Sequence, residues 1–149
     1  MGHLIDGVIT TPLKIISVVG GDVLHAIKSS DTSYLGFGES YFSFIDPLAI
    51  KGWKCHKKMT LNLVVPVGKV KFVLFDDRPD SPTKGEFNQF NICLDSYFRL
   101  TVPPLVWVAF QGLNATPSVI MNVANIEHAS TESVNKDITE ITYEWSRCV

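Results

Sequence analysis

Lys54 and His56, two side chains that can hold or release a proton, stand two positions apart in the basic stretch formed by residues 51–58. Alternate residues of a β-strand project from one face, so Lys54, His56 and Lys58 are predicted to share a strand face. Unpaired charge is unfavourable in a protein core, and this face should therefore line a polar pocket. The same pattern is typical of a solvated edge strand, on which lysines discourage pairing with other chains. Residues 51–58 alone leave both interpretations open.

The composition favours one globular domain over residues 1–149. The formal net charge is −2 and the 13 Lys and Arg residues form no long basic run, so nothing predicts a nucleic-acid partner. Cys55, Cys93 and Cys148 show no Cys-x-x-Cys spacing, which favours free thiols in a reducing compartment. No apolar run approaches the roughly 18 residues that span a bilayer, and no signal peptide is evident. We therefore expect a cytoplasmic protein with no membrane partner.

Short runs of β-branched and aromatic residues, separated by turn formers, predict a mostly β protein. Their spacing of ten or so residues indicates a sandwich or barrel. The predicted strands are 13–19, 41–45, 50–56, 61–65, 69–75, 87–94, 97–102, 106–110 and 119–123. Gly68 is expected to turn a hairpin between its two neighbouring runs. Two short peripheral helices are expected, one over 23–27 capped by Asp22 and one from Thr131 to residue 137.

The order of several motifs resembles the dTDP-4-dehydrorhamnose 3,5-epimerase family from about residue 13 to residue 128. The shared features are a basic-Gly-aromatic-x-x-His strand, a Val-Pro-x-Gly turn, a Ser-Pro-Thr-x-Gly loop and a Pro-Pro pair before an aromatic strand. In this chain they occupy residues 51–56, 65–68, 77–85 and 103–110. The resemblance implies a jelly-roll cupin barrel and a homodimer. It also implies action on a nucleotide-linked 4-keto-6-deoxyhexose in surface-polysaccharide synthesis.

The chemistry of that family defines the groups to look for. A ketone at C4 acidifies the protons on C3 and C5, so the site needs a base, a group that stabilises the enolate and an acid on the opposite ring face. The family usually uses a His in Arg-Gly-x-His as base and a Tyr on a later strand as acid. Here Lys54 stands at the His position, Val108 replaces a second His, and residues 119–123 contain no tyrosine.

The resemblance still assigns roles to several residues. His56 matches the second His of the related 3,4-ketoisomerase pattern Arg-Gly-x-His-x-His and is the expected base, since imidazole titrates near neutral pH. Lys54 is expected to stabilise the enolate, or to act as a base itself. Lys51, at the Arg position, is expected to hold the nucleotide phosphates, together with Arg99. A hydrogen-bonded strand histidine without chemistry is the alternative for His56.

Three further residues complete the expected binding set. Lys58 continues the basic face, Asn62 could donate to a sugar oxygen or pair with backbone, and Trp107 could stack on a base or sugar or belong to the core. The histidines show no cupin metal pattern, so neither a metal nor another cofactor is expected. The predicted function is epimerisation or ketoisomerisation of a sugar nucleotide. The alternatives are a non-catalytic sugar-nucleotide binding module and a structural barrel that has lost ligand binding.

Overall fold

The computed structural model describes residues 2–149, so Met1, which falls within the predicted domain, lies outside the described residues. All regular elements of this part of the chain are β-strands, which confirms the predicted β class. In chain order, β1 to β12 are Ile9–Pro12, Ile15–Ile16, Val23–Leu24, Glu39–Ile45, Ile50–His56, Leu61–Val67, Val70–Phe75, Phe87–Ile92, Phe98–Val102, Trp107–Gly112, Ser118–Ala124 and Ser133–Asn135.

Two antiparallel five-stranded sheets face each other and form the predicted jelly-roll barrel. The first sheet has the order β1-β9-β6-β11-β4, and the second has the order β12-β5-β10-β7-β8. Leu63 and Leu100 of the first sheet and Phe72 and Leu74 of the second belong to one buried apolar cluster between them. Their alternation with outward residues follows from the two-residue period of a strand. The barrel interior is therefore apolar over most of its length.

The two expected helices are absent from residues 2–149, and strands occupy their places. Val23–Leu24 pairs with Ile15–Ile16 in a small separate sheet, which is also all that remains of the predicted strand over 13–19. Ser133–Asn135 pairs with β5 as the outermost strand of the second sheet. Ladder hydrogen bonds to a sheet edge outweighed the local capping signals. None of the described residues forms a helix able to cross a membrane.

The hairpin predicted around Gly68 is also absent, because β6 and β7 belong to different sheets. Gly68 has φ 87° and carries the chain from the first sheet to the second. A Cβ at this position would lie 2.2 Å from Ser118 Oγ, and that hydroxyl accepts a hydrogen bond from Lys69 N. The turn residues were therefore recognised from the sequence, but the partner of each strand was not.

The C-terminal segment covers the outer face of the second sheet. Trp53 of β5 and Trp107 of β10 pack there in a second apolar cluster with Ile141, and Trp145 joins it. The Trp53 indole donates to the carbonyl oxygen of Ile138. This cover fixes the orientation of β5 from Trp53 to His56, where Trp53 and Cys55 face the C-terminal segment and Lys54 and His56 face the barrel interior.

Candidate functional site

A cavity of about 390 Å³ opens between β4, the edge of the first sheet, and β5 of the second. Its floor is apolar and includes Leu63, Phe72 and Val108, with further aliphatic and aromatic side chains from the barrel core. Polar side chains line the walls: Tyr41, Ser43, Lys51, Lys54, His56, Asn122 and Asn135. A concave apolar site with a few convergent polar groups is typical of a small-molecule site.

Gly52 allows β5 to approach β10 closely enough to close one side of this cavity. A Cβ on Gly52 would lie 2.5 Å from Ala109 Cβ, and the residue has φ 139°, which favours glycine. The β5–β10 pairing shifts register between Val108 and Phe110, opposite this point. Beyond Gly52 the strand is regular, so Lys54 and His56 both line the cavity as the alternation predicted.

His56 is paired with a buried carboxylate that the sequence did not reveal. Its Nδ1 lies 2.6 Å from Glu132 Oε2, and both residues are 8% exposed. An ionised carboxylate can only accept hydrogen bonds, so Nδ1 carries a proton, and in the neutral imidazole the lone pair is then on Nε2. The geometry therefore fixes the histidine in the tautomer that a general base requires.

Glu132 is held in its ionised state by its surroundings. Its burial opposes this, but hydrogen bonds from His56 and from the backbone amides of Lys58 and Met59 dominate, and they lower the pKa of Glu132 to about 2. The residue precedes β12, which pairs with β5 and brings it under His56. Because 76 positions separate the two residues, no local pattern connects them.

The three lysines of the basic stretch have different positions. Lys54 lines the cavity, while Lys51 lies at its rim and donates from Nζ to the carbonyl oxygen of Phe44 at 2.6 Å. Lys58 does not join them, in contrast to the expectation, because β5 ends at His56 and the chain turns. Its side chain is exposed, and its backbone amide binds Glu132.

Asn62 and Arg99 lie outside the cavity, which differs from their expected binding roles. They are on the opposite face of the first sheet, where Arg99 Nε and Thr101 Oγ1 both donate to Asn62 Oδ1. Arg99 is fully buried, donates to Ser33 and Ala26, and forms an ion pair with Asp31. Its donors are occupied in fixing the 26–34 loop to the sheet, which leaves no accessible guanidinium for a phosphate.

Trp107 also points away from the cavity. It packs in the cluster beneath the C-terminal segment, and Lys136 Nζ lies 4.7 Å from the centroid of its ring. Val108, the next residue, faces inward instead. Of the two interpretations open for Trp107, the structure supports the core position.

Within residues 2–149 no group of three or more His, Cys, Asp or Glu side chains is arranged to hold a metal ion. Among these described residues, the dyad of His56 and Glu132 has no third His, Cys, Asp or Glu side chain placed to bind a metal with it. The polar groups lining the cavity are instead donors and acceptors suited to an organic substrate.

Comparison with known proteins agrees with this architecture. No family model matches the chain. A dTDP-4-dehydrorhamnose 3,5-epimerase from Sulfolobus tokodaii has the same fold, with a TM-score of 0.84 at 21% identity over 99% of this chain and 87% of that one. A probable low-salt glycan biosynthesis epimerase from Haloferax volcanii is 29% identical over 112 residues, which are 72% of either chain.

A solved structure of a dTDP sugar isomerase from Desulfovibrio desulfuricans is more similar, with a TM-score of 0.92 and 35% identity. The match covers 97% of this chain and 94% of that one. The chain belongs to the dTDP-4-dehydrorhamnose 3,5-epimerase family. It is thus a member of a family of sugar-nucleotide epimerases, which are enzymes.

The polar groups of this cavity differ from those that the resemblance implied. The β11 strand, on which the resemblance led us to expect a tyrosine, presents Asn122 to the cavity. Tyr41 stands directly opposite it on β4, and Asn122 Nδ2 donates to the Tyr41 hydroxyl oxygen at 3.1 Å. In the sequence, the only sign of this pair was the spacing of Tyr41 and Ser43, which places both side chains on one face of a predicted strand.

Proposed function

We propose that this epimerase-family protein is an epimerase or ketoisomerase of a nucleotide-linked 4-keto-6-deoxyhexose in surface-polysaccharide biosynthesis. The observation that carries the proposal is the contact of His56 with ionised Glu132 inside a cavity that Lys54 also lines. Such a dyad is suited to removing a proton from carbon, provided that a nearby cation stabilises the resulting enolate.

His56 Nε2 is the proposed base for the proton α to the ketone. As it accepts the proton, the adjacent carboxylate of Glu132 stabilises the imidazolium through Nδ1. The electrons of the C–H bond form the carbon–carbon double bond of the enolate, whose oxygen lies near the Lys54 ammonium. Glu132 thus acts as a positioning residue, while His56 and Lys54 contact the sugar.

Lys51 is proposed to bind the diphosphate. It lies at the rim of the cavity, exposed to solvent, and its only protein acceptor among residues 2–149 is the Phe44 carbonyl oxygen. A charge-assisted hydrogen bond to phosphate is stronger than one to a neutral carbonyl, so ligand binding can redirect this ammonium. The sugar would then extend inward to Lys54 and His56, and the nucleoside would remain outside.

The test is solvent exchange with dTDP-4-keto-6-deoxyglucose in deuterated water. We expect the wild type to place deuterium on a carbon next to the ketone. His56→Asn should abolish exchange while dTDP still binds, and Lys54→Ala should slow exchange without eliminating it. His128→Asn, at an exposed histidine outside the cavity, serves as the matched control. Full exchange by both site variants would contradict the proposal.

The same experiment separates the enzyme from the alternative, a non-catalytic binding module. The absence of a family-type His at position 54 and of a Tyr on β11 favours that alternative. It predicts dTDP binding by the wild type with no deuterium incorporation at all.

A homodimer and a cytoplasmic location also stay predictions. The homodimer is supported by the exposed side chains of Phe42 and Phe44 on the outer face of β4, an edge strand. An apolar pair on a sheet edge is suited to burial against a second copy.

A further inference from the structure

Asn135 lies beside Lys54 on the neighbouring strand. Antiparallel pairing sets Asn135 of β12 directly opposite Lys54 of β5, and both side chains line the cavity. The next pair, Trp53 and Lys136, exchanges both backbone hydrogen bonds at 3.0 Å, so Asn135 and Lys54 form a non-hydrogen-bonded pair. In such pairs the Cα atoms are only about 4.5 Å apart and the side chains approach most closely. The amide and the ammonium are therefore neighbours on one wall of the cavity.

The row of side chains across the sheet at Lys54 is polar only on its outer side. β12 is the outermost strand, whereas the partner of Lys54 on the inner side is Val108 of β10, which also lines the cavity. An oxygen atom bound by the Lys54 ammonium therefore has an aliphatic side chain on one side and the Asn135 amide on the other. This amide is exposed and makes no hydrogen bond within residues 2–149. Its two N–H donors are available to a bound molecule.

We propose, on the basis of the function proposed above, that Asn135 is a second hydrogen-bond donor to the enolate oxygen. When His56 removes the proton, the electrons of the C–H bond form the carbon–carbon double bond and negative charge develops on the C4 oxygen. Lys54 and the Asn135 amide both donate to this oxygen, and neither group gives up a proton. A neutral amide on a paired strand is suited to this role, because its donor is in place before the charge develops.

The assignment makes β12 a source of residues for both parts of the site. Glu132, just before the strand, lies 2.6 Å from His56, and Asn135, at its end, lies beside Lys54. The sequence did not indicate Asn135, because residues 131–137 were expected to form a helix. Only the pairing of β12 with β5 brings its side chain to the cavity.

The experiment measures deuterium exchange into dTDP-4-keto-6-deoxyglucose by proton NMR and dTDP affinity by calorimetry. Asn135→Ala removes the amide from an exposed position of an edge strand. We expect it to lower kcat for exchange by about 100-fold or more, the effect of removing one oxyanion donor. The affinity for dTDP should stay unchanged, because dTDP lacks the sugar ketone.

Two further variants serve as comparisons. Asn135→Asp has nearly the same shape but places a carboxylate beside the enolate, so it should exchange more slowly than Asn135→Ala. Asn91→Ala, at an exposed asparagine of β8 on the other edge of the same sheet, should match the wild type. Equal melting temperatures of Asn135→Ala and Asn91→Ala check that both variants keep the fold.

Exchange at the wild-type rate by Asn135→Ala or Asn135→Asp would overturn the role of Asn135, while loss of exchange in His56→Asn would still support the proposed base. Weaker dTDP binding by Asn135→Ala at an unchanged kcat would also overturn it, because the amide would then contact the nucleotide. Full exchange in His56→Asn would instead overturn the proposed function itself. A wild type without exchange would refute both proposals.

Discussion

Replacement of Glu132 by Gln tests the pairing at the centre of the site. The carboxylate is buried and accepts hydrogen bonds from His56 Nδ1 at 2.6 Å and from the amides of Lys58 and Met59, each at 2.9 Å. Glutamine has nearly the same shape and can still accept from the two amides. It removes the negative charge, and it can place an N–H against His56 Nδ1.

The magnitude follows from the pKa of Glu132, which is lowered from 4.5 to about 2 on folding. A folded-state pKa below the unfolded one means that the unfolded chain binds the proton more tightly. The stabilisation is then complete above the unfolded value and is lost as pH falls toward the folded value. At about 1.4 kcal/mol per pKa unit it amounts to about 3 kcal/mol at pH 7, of which about 2 kcal/mol is lost by pH 3.

The assay is urea unfolding of both proteins between pH 7 and pH 3. We expect Glu132→Gln to be less stable by up to about 3 kcal/mol at pH 7, with the difference shrinking through the acid range. Glu144→Gln, at an exposed carboxylate of the C-terminal segment, should match the wild type. A stability difference that stays constant from pH 7 to pH 3 would refute an ionised, hydrogen-bonded Glu132.

The same variant has a catalytic consequence. An N–H facing Nδ1 favours the tautomer whose proton is on Nε2, which cannot act as a base. We expect deuterium exchange to fall by at least about 100-fold, a loss characteristic of breaking a carboxylate–histidine pair. Exchange at the wild-type rate would show that His56 does not depend on Glu132.

Three other substitutions test the remaining structural assignments. Lys51→Ala should weaken dTDP binding by about 1–3 kcal/mol in calorimetry, with Lys57→Ala as control, and unchanged affinity would place the phosphates elsewhere. Arg99→Met should lower the free energy of unfolding by about 1–3 kcal/mol, because it removes the charge-assisted hydrogen bonds of a buried guanidinium whose ion-pair partner, Asp31, is partly exposed. It should leave dTDP affinity unchanged, and reduced affinity without lost stability would restore Arg99 to the binding site. Gly52→Ala should lower the melting temperature far more than Gly20→Ala, since an added Cβ meets Ala109 at 2.5 Å only at the first position, and equal losses would argue against this close approach.

The face of β5 that carries Lys54 and His56 could be predicted from the sequence. The strand was expected over 50–56 and is observed as Ile50–His56, because its pattern is bounded by the Asp46-Pro47 turn and by the polar residues that follow. Alternation is a local property of an extended backbone, and it was enough to place both side chains on one face. The end of the alternation was predicted wrongly, because Lys58 was included although the strand ends at His56.

Strand pairing and the identity of the covered surfaces depended on the tertiary structure. Gly68 marks a turn whether or not β6 and β7 pair with each other. Only the packed barrel decides that the two strands enter different sheets. The same is true of Arg99 and Trp107, whose outward faces become buried because the 26–34 loop and the C-terminal segment cover them. A strand pattern shows which residues share a face, and not what will pack against it.

The residues of the site also differ in whether the local sequence could identify them. His56 was identifiable as a candidate base from its residue type and its strand, both of which are local. Glu132 and the pair of Tyr41 with Asn122 were not, because 76 and 81 positions, respectively, separate the partners. Contacts across such distances exist only after the two sheets have assembled, since the free energy that holds these side chains together comes from burial and pairing in the complete barrel.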